Sequence, residues 1–180
     1  LYLDIFPPEF ETQAAPHVPH RQLLRPVADD GHLATSSPLP LPDASAGAPL
    51  VYLTMGTVFN NPALFKVVLA ALSELEVRVL VTVGPDGDPA ILGPQPQRVR
   101  VERYVPQAVV LPHCDVVVSH SGSGTVLATA TQGIPQLCLP QGADQFLNAA
   151  AVESAGSGIC LMPGDCNPDT VRDAVVRLLV

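Results

Sequence analysis

From residue 50 onward, short apolar runs alternate with segments whose apolar positions recur at helical spacing. The run over 51–55 reads as a strand. After it, Pro62 opens a segment in which Leu64, Phe65, Val68, Leu69 and Leu72 share one helical face, predicting a helix to about residue 75. Further strands are expected over 77–83, closed by Gly84-Pro85-Asp86-Gly87, and over 99–105, closed by Pro106. Residues 107–111 form a short helix at most. A strand over 115–119 leads into a helix over 122–132, which Gly133 stops. A strand over 136–139, a helix over 143–155 stopped by Gly156, a last strand over 158–162 and a helix over 165–180 complete the chain. The strands are Val/Leu-rich and apolar on both faces. That pattern predicts an α/β fold: a Rossmann-like, three-layer domain with a parallel sheet between helices. In such sheets ligands bind beyond the carboxyl ends of the strands.

Residues 1–49 break this rhythm. They hold nine prolines, at 7, 8, 16, 19, 26, 38, 40, 42 and 49, and only 1–6 has strand character. Proline interrupts every candidate helix there, and Ser37-Pro38-Leu39-Pro40-Leu41-Pro42 reads as extended chain. The expected organisation is a Pro-rich interdomain connector over 1–49 and one ligand-binding domain over 50–180.

Composition narrows the partners. Hydrophobic residues make up 47% of the 180 and mean hydropathy is +0.30, enough for a buried core. Nine Lys and Arg stand against 17 Asp and Glu, a net charge of −8. That balance argues against nucleic acid or an anionic membrane surface. No apolar run approaches the roughly 18 residues of a membrane span, and residues 1–10 lack the pattern of a signal peptide. The four cysteines, at 114, 138, 160 and 166, form no C-x-x-C and have no zinc-like spacing to histidine. Free thiols, no metal and a cytoplasmic location are expected. The first residue is Leu, which suggests a piece of a longer or processed chain.

Four segments just after predicted strands carry candidate chemistry. In Val118-Ser119-His120-Ser121-Gly122-Ser123-Gly124-Thr125, a strand runs through a small polar turn into a helix. Free backbone N–H groups and the positive end of the helix dipole suit an anion there, without Lys or Arg. The competing reading is a tight turn in which serine only caps. A P-loop is excluded because no Lys follows the glycines. A dinucleotide fingerprint fails at Leu127, and no acidic residue ends the next strand, which disfavours a dehydrogenase. A nucleophile elbow centred on Ser121 would need a downstream His, and the histidines lie at 17, 20, 32, 113 and 120. Asp144 and Gln145, in Pro140-Gln141-Gly142-Ala143-Asp144-Gln145, offer a carboxylate and an amide to sugar hydroxyls; alternatively Asp144 only stabilises its own helix. Tyr104, in Tyr104-Val105-Pro106-Gln107, offers a shelf for a flat base. Met55-Gly56-Thr57 follows the first strand.

In this order and spacing, the four segments resemble the donor half of the nucleotide-sugar-dependent glycosyltransferases with the two-domain GT-B fold. The likeness is strongest to the bacterial branch that decorates antibiotics and other natural products. It covers about residues 50–180, and more loosely 1–8. The resemblance implies that His120, Gly122, Ser123, Gly124 and Thr125 hold the donor diphosphate, with Thr57 facing them. It implies that Tyr104, Val105 and Gln107 serve the base, and that Asp144 and Gln145 bind sugar hydroxyls. Relatives often carry a ribose-binding Glu where this chain has Ala128, a departure that favours a thymidine over a uridine donor. The resemblance further implies an inverting transfer without cofactor or metal, from a dTDP- or UDP-sugar to a small-molecule acceptor. The base and the acceptor site would lie on a domain absent from this chain, which alone would bind donor without transferring it. A non-catalytic nucleotide-binding module and half of a sugar-nucleotide epimerase are the alternatives.

Overall fold

The computed structural model describes residues 2–10, 20–26, 39–42, 47–56 and 61–180. Six strands form one parallel sheet: β3 (Leu50–Thr54), β4 (Arg78–Thr82), β5 (Val99–Glu102), β6 (Val116–Ser119), β7 (Gln136–Cys138) and β8 (Gly158–Cys160). Their spatial order is β5-β4-β3-β6-β7-β8. The chain therefore winds outward in one direction from β3, then returns and winds outward in the other from β6. The helices are α1 (Pro62–Ser73), α2 (Gln107–Val110), α3 (Ser123–Thr131), α4 (Gln145–Ser154) and α5 (Pro168–Leu178). The expected elements are present with shorter ends, since the residues nearest prolines and glycines leave the ladder. The strand expected over 99–105 stops at Glu102, leaving Arg103 to Val105 as irregular chain. A single 3-10 turn over Pro89–Leu92, unforeseen from the sequence, is capped by the Asp88 side chain accepting from Ala90 N at 3.0 Å.

Successive strand residues point to opposite faces of the sheet, so each strand feeds two cores. Val51 and Leu53 pack with α1 and α5, through Phe65, Val68, Leu72, Val171 and Val175. Leu50 and Tyr52 face the other side, with Leu80, Val105, Val110 and Leu111. The N-terminal ends of α1 and α5 are set locally: Pro62 and Pro168 each follow an Asn that caps its helix, and Asn167 and Thr170 form a reciprocal capping box. The fully buried Tyr52 places its hydroxyl 2.8 Å from Thr82 Oγ1, so this polar group enters the core already paired.

Part of the Pro-rich region is ordered. β1 (Tyr2–Asp4) and β2 (Arg21–Leu23) form a separate two-stranded parallel sheet, in which Asp4 pairs with Arg21 at 2.7 Å. Only the first of these strands was expected. Phe10, in a 3-10 turn over Pro8–Phe10, is buried against Val126, Cys138, Ala149 and Val152. The first described residues thus pack on the α3–α4 side of the large sheet.

Replacing Tyr52 by Phe keeps the ring and strands the Thr82 hydroxyl. We expect a loss of about 1–2 kcal/mol in unfolding free energy, read from the midpoint of urea denaturation at unchanged slope.

Candidate functional site

The winding reverses between β3 and β6, which pair in register with Thr54 opposite Ser119. In sheets wound this way the ligand crevice lies at such a reversal, beyond the carboxyl ends of the strands. Gly56 lies on one loop and His120 on the other. Gly56 has a φ of +73°, and a Cβ built on it would fall 2.5 Å from His120 Cε1 and 2.8 Å from Nε2. A Cβ on Gly122 would fall 2.6 Å from the same Nε2. The imidazole is thus held between two glycines that any side chain would push apart. His120 is 9% exposed, and its Nδ1 is buried with no hydrogen-bond partner among the described residues. Burial lowers its pKa below the usual histidine value, and the Asp144 carboxylate opposes that shift. The ring is therefore neutral in the free protein at neutral pH.

Ser121 follows with a φ of +66°, a left-handed conformation uncommon for a side-chain-bearing residue. Its N–H donates to Ser119 Oγ at 3.1 Å and its carbonyl accepts from Asn148 Nδ2 at 3.0 Å. Its hydroxyl is fully buried, which excludes it as an exposed nucleophile of the elbow type. The turn delivers the chain to α3, whose N-cap is Gly122. Its first helical bond runs from Val126 N to Gly122 O at 3.0 Å, so the N–H groups of Ser123, Gly124 and Thr125 have no helical carbonyl to meet. Gly122 and Ser123 are half-buried and Gly124 is exposed, with open space where its Cβ would stand.

Thr125 is buried, and its Oγ1 accepts from Gln107 Nε2 at 3.0 Å. That bond ties the single turn of α2 to the first turn of α3. Tyr104 is 49% exposed, whereas the Val105 side chain is packed in the core and leaves only backbone to a ligand. Asp144 occupies the N-cap position of α4 and makes no capping hydrogen bond, while its charge still stands at the positive end of that helix. Its Oδ2 accepts instead from Asn148 Nδ2 at 3.1 Å. Gln145 is 2% exposed, and its Oε1 accepts from Gln141 N at 2.7 Å and Gly142 N at 3.1 Å. Its oxygen is committed to shaping the loop. Thr57 lies outside the described residues.

The structure thus gathers His120, Gly122, Ser123, Gly124, Thr125 and Gln107 around one crevice, with Asp144 coupled electrostatically to His120. Gly56 and Asn148 belong to the same constellation. Sequence reasoning passed over Asn148, although its place four residues after Asp144 puts the two on one helical face. All four cysteines are free, and burial raises the Cys114 and Cys138 thiols to about 12. No cluster of three metal-ligating side chains occurs among the described residues. No described helix is long and apolar enough to cross a membrane.

Comparison with known proteins shows the family and the fold. Residues 66–180 match the family described as Erythromycin biosynthesis protein CIII-like, C-terminal domain. TDP-daunosamine transferase DnrS of Streptomyces peucetius is 35% identical, over 98% of this chain and 42% of its own. Demethyllactenocin mycarosyltransferase of Streptomyces fradiae is 29% identical, over 74% of this chain and 29% of its own. The solved structure of spinosyn rhamnosyltransferase SpnG superposes with a TM-score of 0.82 at 30% identity, covering 98% of this chain and 47% of that one. The same enzyme has been solved in complex with thymidine diphosphate. The chain spans less than half the length of each of these proteins. With the parallel sheet, its winding order and the crevice at the reversal all in place, this chain belongs to the Erythromycin biosynthesis protein CIII-like C-terminal domain family and has the fold of the corresponding half of a GT-B glycosyltransferase.

Proposed function

We propose that this chain is the donor-binding half of an inverting glycosyltransferase that transfers a sugar from a dTDP- or UDP-sugar to a small-molecule natural product. The observation that carries this reading is the imidazole of His120, fixed between Gly56 and Gly122 beside an uncapped helix start. A diphosphate placed there would meet the N–H groups of Ser123 to Thr125 and the polar edge of the ring. Such preorganised donors act most strongly on charge that grows during reaction. Cleavage of the glycosidic bond increases charge on the departing diphosphate, so the crevice favours the transition state over the ground state. No metal is invoked in this reading.

The remaining parts of the donor fall to the neighbouring segments. Tyr104 supplies an exposed ring for the base, and Val105 its backbone. Gln107 braces Thr125 rather than projecting freely. Asp144 takes the sugar hydroxyls, and Gln145 contributes through its amide nitrogen. Ala128 is 7% exposed and packed in the core, so that position offers nothing to a ribose hydroxyl; this supports a deoxyribose donor. The acceptor site and the base that deprotonates the acceptor belong to the portion of the relatives that this chain does not cover. By itself the chain binds donor without transferring sugar.

Calorimetry with dTDP, UDP and their sugars tests this reading. Replacing His120 by Ala should weaken diphosphate binding by about 1–3 kcal/mol; unchanged affinity for both nucleotides would remove the imidazole from the site. Replacing Asp144 by Ala should spare the free nucleotide and weaken the nucleotide sugar, and equal losses for both would place its carboxylate away from the sugar.

The ionisation of His120 gives a third test. Its pKa is lowered in the free protein, and an arriving diphosphate favours the cation and raises it. The complex then binds more protons than the free protein. Affinity should rise as pH falls through the raised value of the complex toward the lowered free-state value. Titrations in two buffers of different ionisation enthalpy should show proton uptake that His120→Ala abolishes.

A further inference from the structure

We propose that Asn148 is a positioning residue that couples the diphosphate cradle to the sugar-binding carboxylate; this rests on the donor-binding reading above. Asn148 sits on the second turn of α4, buried at 6% exposure, and touches both loops through one nitrogen. Its Nδ2 donates to the Ser121 carbonyl at 3.0 Å and to Asp144 Oδ2 at 3.1 Å. An amide nitrogen carries two hydrogens, so the two bonds can form together.

The Ser121 carbonyl is a critical point to hold. Ser121 lies between His120 and Gly122 with a left-handed φ of +66°, a conformation that persists only where the surroundings hold it in place. Two observed bonds do so: Ser119 Oγ accepts from its N–H, and Asn148 donates to its carbonyl. The orientation of that peptide sets where the His120 ring enters the gap between the glycines and where the amides of α3 begin. The other bond draws the Asp144 carboxylate back along α4 and away from its own helix N–H groups, in place of an ordinary cap. One side chain thus fixes the two parts of the donor site relative to each other. An apolar substitute would leave the Ser121 carbonyl buried and unpaired and let Asp144 turn toward its helix.

The test is calorimetry with dTDP and a dTDP-sugar on wild type, Asn148→Ala, His120→Ala and the double variant, with Val171→Ala as a control. Val171 is fully buried against α1, remote from the crevice, so its truncation lowers stability without touching the site. Below their melting temperatures, Asn148→Ala should weaken dTDP by about tenfold and also erase the additional affinity conferred by the sugar. Val171→Ala should change neither. In the His120→Ala background, Asn148→Ala should cost dTDP less than it does in wild type, because part of its effect passes through the imidazole and the rest through the α3 amides. The imidazole NMR resonances of His120 should shift in Asn148→Ala and stay in place in Val171→Ala. Wild-type affinity and an unmoved imidazole spectrum in Asn148→Ala would overturn the assignment while leaving the donor site standing. If wild type binds neither ligand, or His120→Ala binds both as wild type does, the donor-site reading itself fails.

Discussion

The approach of two backbone loops around one imidazole is the contact on which the candidate site depends. β3 and β6 are neighbours in register, and their carboxyl ends release Gly56 and His120 at the same height. The ring fits because neither Gly56 nor Gly122 carries a Cβ, and Gly56 also needs the positive φ that glycine adopts freely. A larger residue at either position would displace the ring or open the loops. The helix that follows starts at the same place, so the ring and the first N–H groups of α3 face one crevice.

This arrangement suits an acidic protein. With a net charge of −8, the chain has no general positive field for the proposed diphosphate to follow. It offers backbone dipoles instead, fixed by the fold and oriented before any ligand arrives. Burial favours the neutral form of His120. The polar groups around the crevice are braced by one another: Gln107 holds Thr125, Gln145 holds the loop before α4, and Asn148 holds Ser121 and Asp144. A site built from such bonds varies little in shape, which electrostatic stabilisation requires.

Most of the architecture was legible along the chain because parallel strands buried on both faces leave near-continuous apolar runs, and prolines and glycines mark their ends. The errors lie at boundaries and in β2. Arg21–Leu23 is a strand only because Asp4 and its neighbours pair with it, and three residues carry no periodicity of their own. Val105 follows the exposed Tyr104, and which way its side chain turns was not legible: it packs into the core with Val110 and with Leu80, a partner distant in sequence.

The sequence by itself determined the alternation of parallel strands with helices and the identity of the small polar turn after β6, since both are written in local patterns of apolar, glycine and hydroxyl residues. It also determined that any anion must be held without lysine or arginine in that turn. Only the tertiary structure decided which partners each polar group takes. Asn148 lies 27 positions from Ser121, and Gly56 lies 64 before His120, yet each pair is in contact. Contacts over such separations arise from how strands are ordered in the sheet, and that order is settled by packing the whole core rather than by any stretch of chain.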